Sequence, residues 1–285
     1  MNNAAYCEDH LLPLSAPHDA RVVRIWEPAE TRAVIVAIHG GMSHSGDYET
    51  VGTYFKKHQL ATLSADLTGH GKRRRVDIPA FSVFFDDVQR MLDIAHSHFP
   101  GRPVFLMGHS MGALIATHVA LSDRFRSEVL HGVILSSPYY ANAIPVPPIV
   151  VHLSALLAKL LPTTKVPMPS VTEFLTHDAQ ITARHRRDEQ AVQKPSEASL
   201  RFGRALLDAQ SALKGNLSRW HHPVFAVVAG DDRLADAQAS LTMLKTIPEP
   251  LLTLHYYPEN FHENFNELNR ETIFDNLREW MQARL

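Results

Sequence analysis

Short apolar runs rich in β-branched residues recur along this chain, at residues 21–26, 33–38, 61–65, 103–107, 131–136, 223–229 and 251–256. Between them lie stretches with apolar residues at helical spacing. One is 81–98, where Val88, Leu92 and Ala95 share a face; the others are 111–121, 236–246 and 270–284. Strands that are apolar throughout are buried on both faces, and strands separated by helices pair in parallel. The expected fold is therefore α/β, with a mostly parallel central sheet flanked by helices. Residues 138–220 break the alternation. They open with Pro138, Pro145, Pro147 and Pro148, carry helical patterns punctuated by Pro162, Pro167 and Pro169, and hold no convincing strand. This segment reads as a helical cap or lid inserted between two strands. It divides the chain into a first core part (1–137), the insertion (138–220) and a second core part (221–285).

Within this frame the pentapeptide Gly108-His109-Ser110-Met111-Gly112 fits G-x-S-x-G. An apolar run precedes it and Ala113-Leu114-Ile115-Ala116 follows, so a strand, a sharp turn and a helix would present Ser110 on a strained elbow. Small residues are needed at the flanks, where a Cβ would collide with neighbouring backbone. The helix N-terminus aims N–H groups at developing negative charge. In the order Ser, acid, His, the strand at 223–229 is followed by Gly230-Asp231-Asp232-Arg233-Leu234, and the next strand by Pro258-Glu259-Asn260-Phe261-His262. Asp231 and Asp232 are both candidate acids. His262 is the candidate base, at a strand's carboxyl end where open α/β sheets bind ligands. Two oxyanion donors are needed. One is the N–H of Met111. The other is assigned to the N–H of Gly41, in His39-Gly40-Gly41-Met42 after an early strand.

The remaining features narrow the chemistry. Lys and Arg number 28 and Asp and Glu 30, a formal net charge of −2, which argues against nucleic acid as a partner. The 18 histidines show neither H-E-x-x-H nor a Cys/His grouping, so no metal site is expected. Cys7 stands alone, which excludes an intramolecular disulfide and suits a reducing compartment; it is given no role. The N-terminal residues are acidic where a signal peptide would be apolar. The apolar run 149–161 is interrupted by His152, Ser154 and Lys159 and is too short to cross a bilayer. A cytoplasmic protein is the expectation. The basic runs Lys72-Arg73-Arg74-Arg75 and Arg184-His185-Arg186-Arg187 read as solvated faces, with attraction of an anionic head group as the second reading.

Together these residues resemble the α/β-hydrolase superfamily. Within it they are similar to the monoacylglycerol lipase and lysophospholipase branch, grouped by sequence with the serine aminopeptidases. That branch reads approximately H-G-x-G-E-H-S-G-R-Y, D-x-x-G-H-G, G-H-S-M-G-G, an S-P that opens the cap, a D-R-L-type acid loop and a final histidine. The counterparts are residues 39–48, Asp66 with Gly69-His70-Gly71, residues 108–112, Ser137-Pro138, Asp232-Arg233-Leu234 and His262. They span most of the chain in order. The resemblance implies Ser110 as nucleophile, Asp232 rather than Asp231 as the acid and His262 as the base, while Asp236 reads as a helix N-cap and His44 and His70 as structural. Four positions depart from the pattern: Met42 replaces a glycine, Ser43 a glutamate, Asp47 an arginine and Ala113 a glycine. By the resemblance Ser43 and Asp47 border the polar end of the substrate pocket. Leu156 and Leu157, in the apolar cap run, are the candidate contacts for an acyl chain, and the same run is a candidate surface for transient contact with lipid aggregates. The implied activity is hydrolysis of esters of single-acyl lipids, with no cofactor. Alternatives on the same residues are a short-chain esterase, a thioesterase, an acyltransferase or an amidase. A non-catalytic binding protein is the alternative of a different class.

Overall fold

The computed structural model describes residues 8–12, 21–72 and 75–285; Cys7, Arg73 and Arg74 lie outside them. The first half of the chain forms β1 (Glu8–Leu12), β2 (Arg21–Trp26), β3 (Ala33–Ile38), α1 (Glu49–Lys56), β4 (Leu60–Ala65), β5 (Arg75–Val76), α2 (Val83–His98), β6 (Val104–His109), α3 (Met111–Leu121) and β7 (Leu130–Ser136). The second half forms α4 (Pro148–Leu160), β8 (Lys165–Pro167), α5 (Ala179–Gln190), β9 (Glu197–Ser199), α6 (Leu200–Ala212), β10 (Val224–Ala229), α7 (Ala237–Leu244), β11 (Leu252–Tyr257) and α8 (Arg270–Gln282).

The main sheet runs β1-β2-β4-β3-β6-β7-β10-β11. β2 is antiparallel to both neighbours, and every pairing from β4 to β11 is parallel. The continuous apolar runs have the expected cause. All six residues of β3 and of β10 are buried, because helices cover both sides of the sheet. Successive side chains of a strand point to opposite faces. Accordingly Val34, Val36 and Ile38 join the layer with α2 and α3, whereas Ala33, Ile35 and Ala37 join the layer with α1 and α8. Helix α3 is apolar around its whole circumference, since the sheet, α2 and α6 enclose it.

Three details go beyond the expectation. Residues 138–220 do contain strands: β9 pairs with β5 on one side and with β8 on the other, in a small second sheet. Each has three residues, and β8 is exposed throughout, so no hydrophobic pattern marks them. Helix α1 is not among the expected helices: it has only eight residues, and its buried face is Val51 and Phe55 with Gly52 under the Trp26 ring. The inserted segment also does not core itself separately. Phe202, Ala209 and Leu213 of the α6 region belong to the same apolar cluster as Val88 and Leu114. Among the described residues no helix is long and apolar enough to cross a membrane.

Candidate active site

Parallel pairing places several strand ends side by side. Ile38 is level with Gly108, His109 with Ser136, and Ala229 with Tyr257. The loops that leave β3, β6, β10 and β11 therefore emerge along one edge of the sheet. They carry Gly41, Ser110, Asp232 and His262. No local feature brings these residues together; the register does.

Ser110 has φ 56° and ψ −119°, a backbone state that an L-residue adopts only when its surroundings enforce it. The enforcement is visible. The Ser110 N–H donates to the Ser136 carbonyl at 2.9 Å, and the Ser110 carbonyl accepts from Ala113 and Leu114 N–H at 3.0 and 3.1 Å. A Cβ on Gly108 would lie 2.3 Å from the Gly112 carbonyl oxygen, and one on Gly112 would lie 2.0 Å from the Ile38 carbonyl oxygen. Both obstacles are backbone and cannot rotate away. Gly112→Ala is expected to cost about 1–3 kcal/mol or more of stability, read as a lower midpoint in urea. An unchanged midpoint would mean that α3 and β3 can separate freely.

His262 is nearly fully buried, and its Nδ1 lies 2.7 Å from Asp232 Oδ2. The other carboxylate oxygen accepts from the Leu234 and Ala235 N–H groups, both at 2.9 Å. Burial alone would raise the Asp232 carboxyl, but the His262 ring and these N–H donors outweigh it and hold it below the ordinary carboxylate range. An ionised carboxylate only accepts, so Nδ1 of His262 carries the hydrogen and Nε2 is left as the acceptor of the neutral ring. Asp231 is different. Its side chain is 52% exposed and faces Arg233 at 3.8 Å, whereas that of Asp232 is 2% exposed. The Asp231 N–H donates to the Asn260 carbonyl at 3.1 Å, which ties the acid loop to the His262 loop. His109 sits against His262 with ring centroids 4.8 Å apart. Burial, then the neighbouring His262, push it down to about 4, so it stays neutral at physiological pH.

On the other side, Gly41 packs on Met111; a Cβ there would lie 3.6 Å from Met111 Sδ. The N–H of Met111, first in α3, has no intrahelical acceptor by helix geometry. The loop between is braced by His39. Its Nε2 accepts from the Leu67 N–H at 2.9 Å, and its Nδ1 lies 2.8 Å from the Gly40 carbonyl. Met42, at the position where the resembling pattern has glycine, adopts φ 57°, a left-handed state that glycine reaches without steric cost. His70 is buried beside His39, and burial pushes it down to about 3. Asp236 accepts from the Ala239 N–H at 2.9 Å as the N-cap of α7.

A cavity of about 530 Å³ opens over Ser110 and is lined by Gly41, Met111, His262, Ser43 and Asp47. Its apolar wall includes Val171, Leu175, Phe202, Leu206 and Leu234. Leu156 and Leu157, expected here, do not line it. Leu156 is 54% exposed on the outer face of α4, and the acyl-sized wall comes from α6 and from the segment after β8 instead. The run at 184–187 is likewise not a solvated face throughout. Arg186 is exposed and pairs with Glu173, but His185 is fully buried.

His185 belongs to a polar cluster of which the sequence marks only Ser43 and Asp47. Ser43 Oγ donates to Asp47. Lys194 Nζ lies 2.9 Å from Asp47 Oδ2 and 2.8 Å from His185 Nδ1. His185 Nε2 lies 2.9 Å from Glu263 Oε2, which also accepts from Asn266 Nδ2 at 2.7 Å. An ammonium only donates, so Nδ1 of His185 accepts and its Nε2–H is given to Glu263. Burial opposes ionisation of Asp47 and of Glu263, but Lys194 first for Asp47, and His185 with its Nε2–H first for Glu263, outweigh it and hold both carboxyls below the ordinary range. Asp47, His185 and Glu263 offer ligand atoms within 4.8 Å of one another. Lys194 already supplies a cation to that group. Ser43 and Asp47 are expected at the polar end of the pocket, whereas His185, Lys194 and Glu263 are not, because these partners lie far apart in the chain.

Three comparisons bear on this arrangement. The family model described as serine aminopeptidase, S33, matches residues 29–269. The chain is 26% identical over 268 residues to a monoacylglycerol lipase of Mycolicibacterium smegmatis, covering 93% of each protein. It is 29% identical over 256 residues to the phospholipase YtpA of Bacillus subtilis, covering 89% of this chain and 96% of that protein. In fold it is similar to a soluble variant of monoglyceride lipase from Saccharomyces cerevisiae, with a TM-score of 0.85 at 19% identity over 100% of this chain and 98% of the other. The chain belongs to the serine aminopeptidase, S33, family of α/β-hydrolases, in the branch that resembles the monoacylglycerol lipases.

Proposed function

We propose that this protein is a serine hydrolase of carboxylic esters that acts on single-acyl lipids. Ser110 is the nucleophile and His262 removes its proton. Asp232 holds the imidazole tautomer and stabilises its cation, and the N–H groups of Gly41 and Met111 receive the oxyanion. The acyl-enzyme is released by water activated through His262, and no cofactor takes part. The observation that carries the reading is the 2.7 Å bond from His262 Nδ1 to Asp232, with His262 and Ser110 on the wall of one cavity. Relatives named as a monoacylglycerol lipase and a phospholipase support the lipid substrate. Residues 138–220 serve as the cap. On α4, Ile149, Leu153, Leu156 and Leu160 recur at helical spacing and are each more than half exposed, which supports transient contact of the cap with lipid aggregates. A cytoplasmic location accompanies this reading.

A fluorophosphonate should label the wild-type protein once and the Ser110→Ala variant not at all; a folded wild type that takes no label would overturn the reading. Across p-nitrophenyl esters kept below their aggregation limits, kcat/KM should rise with acyl length by up to about fourfold per buried methylene, the equivalent of about 0.8 kcal/mol. Leu206→Gln should flatten that profile, because Leu206 lines the cavity. Leu156→Gln should not. A wild-type optimum at acetyl would leave a short-chain esterase.

A further inference from the structure

The polar cluster at the cavity wall has no part in the proton transfers above, yet chain connectivity ties it to the reacting ester. Ser43 is two residues beyond Gly41, and Glu263 directly follows His262. Two residues of chain span at most about 7 Å, which keeps the cluster beside the reacting ester, and because His262 returns its proton to the leaving alcohol, the group that follows His262 directly lies on the alcohol side. The apolar wall takes the acyl side.

The charges in that border are unequal. Asp47, Glu263 and Lys194 all line the cavity. Both carboxyls are held ionised by their partners, and the one ammonium is already engaged by Asp47 and His185. An alcohol portion bearing hydroxyls can donate to the carboxylates and accept from Lys194. An ionised phosphate accepts, and it would bring its charge against two carboxylates whose side chains are about nine-tenths buried, where screening by water is weak. Lys194 is also held deliberately in place. Val192, two residues before it, has φ 54°, a left-handed state costly for a β-branched residue. The turn is closed by the Gln193 N–H donating to the Asp188 carbonyl at 2.8 Å.

We propose that the Asp47–Lys194 pair, with Glu263, is a charge filter for the alcohol portion of the substrate: it admits an uncharged, hydroxylated leaving group and rejects one that carries a phosphate. This rests on the ester-hydrolase reading and goes further, because it selects between the substrate types of the lipase-named and phospholipase-named relatives. It also assigns Lys194, from the inserted segment, and Glu263, beside the base, to specificity.

The test is the ratio of kcat/KM for 1-octanoylglycerol to that for 1-octanoylglycerol 3-phosphate, with p-nitrophenyl octanoate as an ester lacking either head. The wild type should prefer the uncharged ester by about a hundredfold or more. Asp47→Asn should reduce that ratio at least about tenfold, equal to about 1.4 kcal/mol, and Glu263→Gln should shift it in the same direction. A ratio taken on one preparation is independent of how much of it is folded, and two variants at different positions keep the test open if one fails to fold. Hydrolysis of all three esters with no preference in the wild type, or a preference unmoved in a folded variant, would overturn the filter and leave the hydrolase. Failure to hydrolyse any of the three would overturn both.

Discussion

Replacing Ser110 with alanine should leave a folded protein that hydrolyses acyl esters about 10⁴-fold or more slowly than the wild type, because nucleophile and base act as one unit and removing either removes nearly all of the gain. His262→Ala should cost about as much, and the double variant little more than either single one. The Ser110→Ala fold should survive because its backbone contacts persist. The elbow is held by the Ser110 N–H bonded to Ser136 and by the Ser110 carbonyl that starts α3, and none of these uses the hydroxyl. The measurement is kcat/KM for p-nitrophenyl octanoate together with circular dichroism and a urea midpoint. Substantial turnover in a folded, contaminant-free Ser110→Ala protein would remove Ser110 from the mechanism.

Asp232→Asn should impair turnover on a similar scale, by about 10⁴-fold, through the tautomer rather than through geometry. The Leu234 and Ala235 N–H groups would still meet an amide oxygen. The NH₂ of the new side chain would then face His262 Nδ1, which must become the acceptor, so the hydrogen moves to Nε2 and the ring can no longer take the serine proton. Asp231→Asn should change turnover by no more than about threefold, since that carboxylate is half exposed and its partner is Arg233. The pair of variants, measured at a pH where Asp232 is ionised in the wild type, separates the adjacent acids. A reversed order of effects would move the acid to Asp231.

Much of the frame is legible without coordinates. The strand run at 33–38 coincides with β3, the run at 223–229 contains β10, and the helix at 111–121 coincides with α3. The reason is local: buried parallel strands are apolar at every position, and the glycines of the elbow answer contacts of adjacent elements. Short elements leave no such trace. β8 and β9 exist because the inserted segment folds back beside β5, not because their residues prefer strand. Leu156 shows the limit in another way. Hydrophobicity marks α4 as a helix that needs a partner, but the same residues would read identically whether the partner were the substrate, the cap or a lipid surface.

By itself the sequence determined the strand and helix alternation, the elbow at Ser110 and the order in which serine, acid and histidine follow one another, because each depends on residues near in the chain. Tertiary structure alone decided the burial that separates Asp232 from Asp231, the exposure of Leu156, and the meeting of Asp47 with Lys194, His185 and Glu263. Those outcomes depend on which distant segments share a surface, and the charge of a side chain says nothing about its neighbour until sheet register and the fold of the inserted segment bring them within bonding distance.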